Sequence, residues 1–259
     1  MAGPSSSSSS SQQEGSREVE FFDQFVAEHG DYDVLAERAY ARILEAFQAS
    51  VRPKPGERCI DLGCGTGAFT RRLQPLGLRV AGMDISPASI AHARKEPAAT
   101  GIDFQVGDIT ATGLSDGCQD IVCYSGVLHH FTTRESRIQV MKEGRRLLAP
   151  GGRLFAFDPS VQSPSMFLYR DPRSPLCSKK GKTDNEVLLH RDQLGAELRE
   201  AGFTDFDIRG IGGIAYRYVE SKLATVILPL YNLYEELVRR SPLEDRLGTF
   251  LITVARKPA

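Results

Sequence analysis

The chain has 259 residues, with 32 Lys and Arg against 33 Asp and Glu and a formal net charge of −1. That length suffices to bury a core in one large α/β domain or two small ones, and the balanced charge argues against a general positive field that would collect nucleic acid. The five cysteines include no CxxC pair and the five histidines no HExxH pattern, which argues against a disulfide framework and a metal site and fits a reducing cytoplasm.

The N-terminal region opens with a serine run, Ser5–Ser11, at the place where a secretory signal would need an apolar segment. We therefore expect no signal peptide and a disordered tail over residues 1–17. Apolar residues then recur at helical spacing, first around Phe21 and again from Leu35 onwards. These patterns predict N-terminal cover helices over residues 18–51.

Short apolar runs then alternate with helical stretches, which is typical of βαβ units and a parallel sheet. Strands are predicted near Cys59–Leu62, Arg79–Met83, Asp103–Val106, Ile121–Tyr124, Leu154–Phe157, Asp205–Ile208 and Thr249–Ala255. The clearest helices are predicted over Ala68–Leu73, Pro87–Lys95, Arg134–Leu148 and Arg191–Ala201. This order predicts an α/β fold in a single domain over residues 18–259.

Two segments, 159–190 and 210–246, interrupt the alternation. Both leave the sheet at strand ends, where insertions commonly shape substrate sites, and surface decoration is the alternative. The first is locally basic around Lys179, Lys180 and Lys182, which suits either an anionic substrate or a solvated loop. The second holds the apolar stretch Leu223–Tyr234, too short to span a bilayer. It is interpreted as a buried cover helix, with pocket lining and peripheral membrane contact as alternatives.

The run Asp61-Leu-Gly-Cys-Gly-Thr-Gly67 directly follows a predicted strand and opens a predicted helix. Glycines at positions 63, 65 and 67 permit a tight turn and a close approach of a ligand to the backbone. A glycine triplet alone is weak evidence, but the strand–turn–helix context makes it informative.

Two acidic positions follow in the same order along the chain. Asp84 ends the next strand, where an acidic residue of this fold accepts hydrogen bonds from ribose hydroxyls. Gly107-Asp108-Ile109 ends the third strand, where a carboxylate can accept from an exocyclic amine and an apolar side chain can lie against a flat base. The motifs together predict a nucleoside-containing cofactor.

With these motifs the chain resembles the class I S-adenosylmethionine (SAM)-dependent methyltransferase family, and in particular the subgroup similar to ubiquinone/menaquinone-biosynthesis methyltransferases. Leu147-Leu-Ala-Pro-Gly-Gly-Arg-Leu154 resembles the family's turn before its fifth strand, and Asp120–Phe131 resembles its fourth-strand motif. The resemblance implies a Rossmann-like, seven-stranded, mostly parallel sheet with helices on both faces and an antiparallel last strand. It also implies SAM as cofactor and a methyltransferase activity.

The resemblance further implies roles for individual residues around the cofactor. Asp61 and the backbone of Gly63, Cys64, Gly65 and Gly67 would hold the methionine end of SAM. Asp84 would bind the ribose, and Ile85 would pack on the adenine.

The remaining implied roles lie further along the sheet. Asp108 and the Ile109 amide would read the adenine edge. Tyr124 and Ser125 would border the sulfonium and the incoming substrate.

Methyl transfer needs mainly the alignment of nucleophile, methyl carbon and sulfur, and a base only where the nucleophile must lose a proton. His130, after the fourth strand, is the leading base candidate, with structural fixing of the loop as the alternative, and His129 is less favoured. Asp158, at the end of the fifth strand, would orient an acceptor group or cap the following turn. The adjacent histidines are poor partners for one metal on a regular element.

The acceptor is predicted to be a small molecule, and most simply an oxygen of a secondary metabolite, quinone-like or lipid-like compound. Carbon and nitrogen stay open as accepting atoms, and no nucleic-acid partner is expected. Two other classes remain: a non-catalytic SAM-binding protein, and a nicotinamide-dependent oxidoreductase, because Gly63-x-Gly65-x-x-Ala68 satisfies a looser dinucleotide fingerprint.

Overall fold

The computed structural model describes residues 19–20, 23–24, 26, 35–171, 173, 186–216 and 222–259. The predicted serine-rich tail over residues 1–17, Phe21 of the first predicted cover helix and the basic residues Lys179, Lys180 and Lys182 lie outside the described residues.

The seven described strands form one sheet: β1 (Arg58–Leu62), β2 (Arg79–Asp84), β3 (Asp103–Val106), β4 (Gln119–Ser125), β5 (Leu148–Pro159), β6 (Asp205–Ile211) and β7 (Phe250–Arg256). Their order across the sheet is β3-β2-β1-β4-β5-β7-β6. The first five strands pair in parallel, whereas β7 runs antiparallel to both β5 and β6. The predicted Rossmann-like sheet with an antiparallel last strand is confirmed.

The described residues include the helices α1 (Glu37–Val51), α2 (Ala68–Leu73), α3 (Pro87–Lys95), α4 (Arg134–Leu147), α5 (Pro164–Arg170), α6 (Arg191–Glu200), α7 (Lys222–Arg239) and α8 (Glu244–Leu247). Their starts follow the usual capping chemistry. The hydroxyl oxygen of Ser86 accepts from the Ser89 amide at the start of α3, and that of Thr133 accepts from the Ser136 amide at the start of α4. A 3₁₀ turn, Leu128–His130, joins β4 to the segment before α4.

The core lies on both faces of the sheet because successive strand residues point to opposite faces. On one face, Val122 and Tyr124 of β4 pack with residues of α4 and α6. On the other face, Ile121 and Cys123 pack with residues of α1 and α2. Helices therefore cover both sides, as expected of this fold.

One boundary differs clearly from the sequence prediction. The fifth strand begins at Leu148 rather than at Leu154, because Leu148 already pairs with Gln119 before the register shifts and Arg153 pairs with Ile121. The turn Ala149–Gly152 is thus a bulge-like irregularity inside the strand pairing rather than a separate loop.

The helix α7 covers the sheet end and has two apolar faces. Its inner face buries Glu235 and Val238, which follow the stretch Leu223–Tyr234. Within that stretch none of the described side chains is buried, so the interpretation as a buried cover helix is wrong there. Its outer face carries an exposed stripe at helical spacing: Val226 77%, Leu230 68%, Leu233 55% and Leu237 61% exposed. No helix among the described residues combines the length and the hydropathy that crossing a membrane demands.

Candidate functional site

The loop between β1 and α2 is shaped by three glycines in the left-handed region, with φ of 75° at Gly63, 53° at Gly65 and 79° at Gly67. A Cβ at Gly63 would lie 2.5 Å from a Val127 methyl group, and one at Gly67 would lie 2.7 Å from the Phe104 ring. A Cβ at Gly65 would meet nothing within 4 Å. Two glycines are therefore required for packing, and the third borders open space.

Asp61, the fourth residue of β1, is fully buried beneath this loop. Its carboxylate accepts hydrogen bonds from the Thr70 hydroxyl at 2.7 Å and the Ser125 hydroxyl at 2.8 Å. Burial raises the pKa of Asp61 to about 7, and the two hydroxyl donors oppose that rise. The contacts that the structure shows fix the loop to α2 and β4, and the methionine contact expected for Asp61 stays a prediction.

Asp84 connects the glycine loop to the end of β2. Its carboxylate accepts from the Gly65 amide at 2.8 Å through one oxygen and from the Ser86 amide at 2.9 Å through the other. Ile85, the next residue, is 37% exposed. Asp84 and Ile85 thus flank the open space at Gly65, where the sequence places the ribose and the adenine.

The described part of the N-terminal cover segment reaches the same edge. The Ser86 hydroxyl lies 2.5 Å from Asp23, and the same Asp23 oxygen accepts from the Ala88 amide at 3.2 Å. Asp23 therefore caps the start of α3 beside the Asp84 turn.

The end of β3 supplies the third acidic position. Asp108 is exposed, and one of its oxygens accepts from the Thr110 amide and hydroxyl at 2.8 and 2.7 Å. Ile109 is buried and joins the hydrophobic core. The contacts of Asp108 and the Ile109 amide with the adenine edge stay predictions, whereas the Ile109 side chain packs inward instead of presenting a free apolar surface.

The loop after Asp108 is held by a charged network on α4. Glu143 accepts from the Thr112 amide and hydroxyl at 2.9 and 2.6 Å, and Arg146 bonds to Glu143 and to the Leu114 carbonyl. The Arg146 hydrogen bond, followed by those from Thr112, lowers the pKa of Glu143 to about 2 against the opposing effect of burial.

Tyr124 and Ser125, the two residues predicted at the end of β4, point to opposite faces of the sheet. The Ser125 hydroxyl bonds to Asp61 beneath the glycine loop. The Tyr124 side chain points to the other face, is fully buried, and donates to the Val140 carbonyl of α4 at 2.7 Å. The structure therefore brings Ser125 to the site and does not bring the Tyr124 side chain there.

The two histidines occupy the 3₁₀ turn after β4, and their ring centroids lie 4.2 Å apart. Asp158 of β5 is buried, and its Oδ1 lies 2.9 Å from His129 Nδ1 and accepts from the His129 amide at 3.1 Å. Burial raises the pKa of Asp158 to about 8, and the hydrogen bond from the His129 backbone opposes the rise. Asp158 holds the histidine turn, a contact that sequence reasoning did not assign to it.

Sequence reasoning missed Glu186, which lies beside this turn. Its carboxylate and one nitrogen from each of His129 and His130 lie within 4.8 Å of one another. The backbone places it there, because the Val187 amide donates to the His129 carbonyl at 2.9 Å. No local motif announces this contact, since Glu186 is far from the histidines along the chain.

A second missed carboxylate, Glu235 of α7, lies buried near the start of β7. It accepts from the Thr249 hydroxyl and from the Ile214 amide at 3.1 Å, and burial raises its pKa to about 7. Tyr231, one turn earlier on α7, donates to the Ile214 carbonyl at 3.3 Å. In the sequence, the signal that could have identified Glu235 was its position as a lone glutamate on the apolar face of a helix.

Apart from the side chains of Tyr124 and Ile109, the predicted residues lie at the carboxyl ends of the parallel strands, where open α/β sheets bind ligands. We name two parts of this region after the ligands expected there. The cofactor side is the loop Asp61–Gly67 with Asp84, Ile85 and Asp108, and the acceptor side is the turn Leu128–His130 with Asp158 and residues 186–190.

Residues 60–156 match the family model described as a methyltransferase domain. An uncharacterized 37.1 kDa protein of transposon TN4556 from Streptomyces fradiae is 34% identical over 155 residues, which are 56% of this chain and 40% of that protein. The ubiquinone biosynthesis O-methyltransferase of Pseudomonas fluorescens (strain SBW25) is 28% identical over 162 residues, 60% of this chain and 68% of the enzyme. Probable tRNA methyltransferase 9B of Mus musculus is 32% identical over 123 residues, 48% of this chain and 26% of that protein.

The chain thus spans less than half the length of two of these three relatives. Among solved structures, a SAM-dependent methyltransferase of Thermotoga maritima superposes with a TM-score of 0.63 at 20% identity, over 91% of this chain and 98% of the other. Phosphoethanolamine N-methyltransferase 2 of Haemonchus contortus, in complex with S-adenosyl-L-methionine, gives a TM-score of 0.59 at 16% identity, over 85% and 53% of the two chains. These two likenesses confirm the fold.

The family match falls on the strands and loops that build the cofactor side, and it supersedes the nicotinamide-dependent alternative. SAM is accordingly the cofactor, and its fit rests on the open space at Gly65 beside the Asp84 carboxylate. Residues 60–156 thus match the methyltransferase-domain family, and the sheet that contains them has the fold of a SAM-dependent methyltransferase.

Proposed function

We propose that the protein transfers the methyl group of SAM to a small-molecule acceptor, and that the accepting atom is an oxygen. The observation that carries the proposal is the glycine loop, whose Gly65 amide is bonded to Asp84 beside open space. This is the arrangement that binds a nucleoside cofactor at a strand–turn–helix junction.

Residues of the cofactor side are proposed to contact each part of SAM. The glycine loop, with Cys64 buried between its turns, would receive the methionine end through backbone groups. Asp84 would accept from the ribose hydroxyls and Ile85 would lie on the adenine, whose edge faces Asp108. SAM itself supplies an activated methyl group on a positive sulfur.

Asp61 and Ser125 act beneath the cofactor in this proposal. The buried Asp61 carboxylate holds Thr70 and Ser125, and so fixes the loop against β4. Fixing the loop limits the motion of sulfur relative to the acceptor, and alignment of this kind is the main contribution a protein makes to methyl transfer.

The acceptor side supports a small substrate. Tyr231 of α7 and Tyr216 place two aromatic rings 5.6 Å apart beyond the end of the sheet. Aromatic side chains of this kind suit a small apolar or aromatic molecule. The near-zero net charge and the O-methyltransferase relative support the same choice.

His130 remains the proposed residue that handles the proton of the acceptor. Asp158 is proposed to position the turn through His129 and not to touch the acceptor, because its Oδ1 accepts from the His129 amide and lies within hydrogen-bonding distance of the His129 ring. The insertions 159–190 and 210–246 are proposed to shape the substrate pocket above these residues.

Titration calorimetry with SAM and with S-adenosylhomocysteine tests the cofactor part, and we expect Kd values in the micromolar range for each, or about −8 kcal/mol. Methyl transfer from radiolabelled SAM is then measured with a small-molecule extract and, separately, with total RNA. Label in a small, extractable product supports the proposal. Label only in RNA would overturn the substrate class, and binding of NAD without SAM would overturn the function.

A further inference from the structure

Three potential metal ligands converge on the acceptor side. A nitrogen of His129, a nitrogen of His130 and a carboxylate oxygen of Glu186 all lie within 4.8 Å of one another, and all three residues are partly buried. Ligands around one zinc ion at about 2.0–2.2 Å lie roughly 3–3.5 Å apart. The three atoms would therefore have to approach one another to about 3–3.5 Å to share one ion.

The turn geometry explains how adjacent histidines can share a ligand. On a regular strand two neighbouring side chains point to opposite faces, and the sequence argument against these two histidines as partners for one metal depended on that rule. His129 and His130 instead lie in a 3₁₀ turn, with ring centroids 4.2 Å apart and ring planes inclined by 40°. The two rings therefore occupy the same side of the turn.

The third ligand is held by backbone bonds on both sides of the sheet end. The Val187 amide donates to the His129 carbonyl at 2.9 Å, and the Leu189 amide donates to the Pro159 carbonyl at 3.1 Å. These bonds anchor the segment that follows Glu186 to the histidine turn and to β5. Glu186 is therefore fixed relative to the histidines without belonging to their motif.

A supporting carboxylate orients one of the rings. His129 Nδ1 lies 2.9 Å from Oδ1 of the buried Asp158, so a proton on Nδ1 leaves Nε2 with its lone pair. A carboxylate bonded to the far nitrogen of a ligating histidine is the usual supporting arrangement of protein metal sites.

We propose that His129, His130 and Glu186 bind one divalent transition-metal ion of the Zn²⁺ type. Two imidazoles and one carboxylate suit Zn²⁺, Co²⁺ or Fe²⁺, whereas Mg²⁺ and Ca²⁺ select sets of oxygen ligands. Three protein ligands leave a coordination position open, as in catalytic zinc sites.

The use of that open position rests on the proposed function. The oxygen of the acceptor would occupy it, and the ion would lower the pKa of the bound hydroxyl so that its proton passes to water. His130 would then act on the acceptor proton through the ion, as its ligand, and not as a free base. The alkoxide or phenoxide oxygen then forms the O–CH₃ bond as the C–S bond breaks. The electron pair of that bond stays on sulfur, and S-adenosylhomocysteine leaves as a neutral thioether.

Titration of the metal-stripped full chain with Zn²⁺ tests the site independently of any activity. We expect one ion per chain and a weakening of at least about tenfold in Glu186→Gln and in His129→Ala, with about 10- to 100-fold in Asp158→Asn. The matched control is His92→Ala, because His92 Nε2 lies 3.5 Å from the Glu96 carboxylate on the surface of α3. Its Zn²⁺ affinity should equal that of the unmodified protein.

Two further measurements show whether a weaker Zn²⁺ affinity reflects loss of the metal site itself. Circular dichroism and SAM titration should be unchanged in Glu186→Gln, which separates loss of the metal from loss of the fold or the cofactor site. Co²⁺ should give visible absorption bands in the unmodified protein that disappear in Glu186→Gln. Absence of a stoichiometric Zn²⁺ site, or a site that survives Glu186→Gln, would overturn the proposal while leaving the SAM measurements intact.

The catalytic use of the ion has its own test. Methyl transfer should fall on chelation and return with Zn²⁺ but not with Mg²⁺. Transfer that is indifferent to chelation, in a protein that binds Zn²⁺ at these residues, would overturn the role assigned to the open position.

Discussion

The cofactor side and the acceptor side of this sheet are built by different means. The cofactor side depends on backbone groups close together in sequence, with glycine φ values and the amide of Gly65 bonded to Asp84. The acceptor side depends on side chains from distant segments, since His129, Asp158 and Glu186 meet only in the folded chain. A site made from local backbone geometry can be recognised in a sequence, whereas a site made from long-range side-chain contacts cannot.

If the acceptor side depends on long-range contacts, the largest loss of stability should come from breaking one of them. Arg137 of α4 is buried, makes a two-point ion pair with the buried Glu197 of α6 at 2.9 and 2.7 Å, and donates to the Phe131 carbonyl that ends the histidine turn. Arg137→Met should cost about 3–5 kcal/mol of unfolding free energy, because it leaves Glu197 buried without its partner. Urea denaturation measures the loss.

The same two helices provide the control. Arg134 and Glu200 also join α4 to α6, but their side chains are 43% and 49% exposed. Arg134→Gln should cost at most about 1 kcal/mol. Equal losses of unfolding free energy in the two variants would show that burial does not determine how much each ion pair stabilises the protein.

The cofactor side should lose ligand affinity and keep its fold. Asp84→Ala removes the carboxylate proposed for the ribose and should weaken SAM binding by about 1.5–3 kcal/mol. Calorimetry measures the change, and Asp103→Ala, an exposed aspartate at the opposite end of β3, should leave the affinity as it was. Unchanged SAM affinity in Asp84→Ala would remove this residue from the site.

The smallest effect should appear at the loop after Asp108, as a dependence on pH. The Arg146 and Thr112 hydrogen bonds lower the pKa of Glu143 from the ordinary 4.5 to about 2. A lowered folded-state pKa stabilises the protein above about 4.5, and that stabilisation is lost as pH falls towards 2. Glu143→Gln should therefore be less stable than the unmodified protein by about 1–2 kcal/mol at pH 6.

That difference should shrink steadily below pH 4.5. Denaturation curves of both proteins at pH 6, 4 and 3 measure it, and comparing the pair removes the contribution of other carboxyl groups. A difference that is constant over this range would mean that the charge of Glu143 does not hold the loop.

The sequence predicted the cofactor half closely because each element there follows a local rule. Strand β3 and helices α2 and α3 have the predicted bounds, since apolar runs, glycine turns and the Ser86-Pro87 start act within a few residues. The residues expected around the glycine loop also share one end of the sheet.

The remaining site could not be predicted in the same way. Strand β4 is buried on both faces, so its pattern does not show which face Tyr124 takes, and the hydroxyl bonds to α4 instead of facing the site. Glu186 is placed by a bond from Val187 to the histidine turn, a contact without a sequence signature. Asp158 was predicted to face the pocket. Its carboxylate instead contacts His129, because the 3₁₀ turn brings the His129 amide and ring to it.

The position of β7 between β5 and β6 also has a consequence for synthesis on the ribosome. The edge of β5 pairs with β7, which is synthesised after β6. About 90 residues separate Pro159 of β5 from its partner Phe250 of β7. At roughly 5–20 residues per second, that edge and its apolar neighbours stay unpaired for about 5–20 s. An open, apolar edge invites pairing with other chains. The nascent protein is therefore expected to depend on chaperones during this interval, and to aggregate when β7 is delayed or removed.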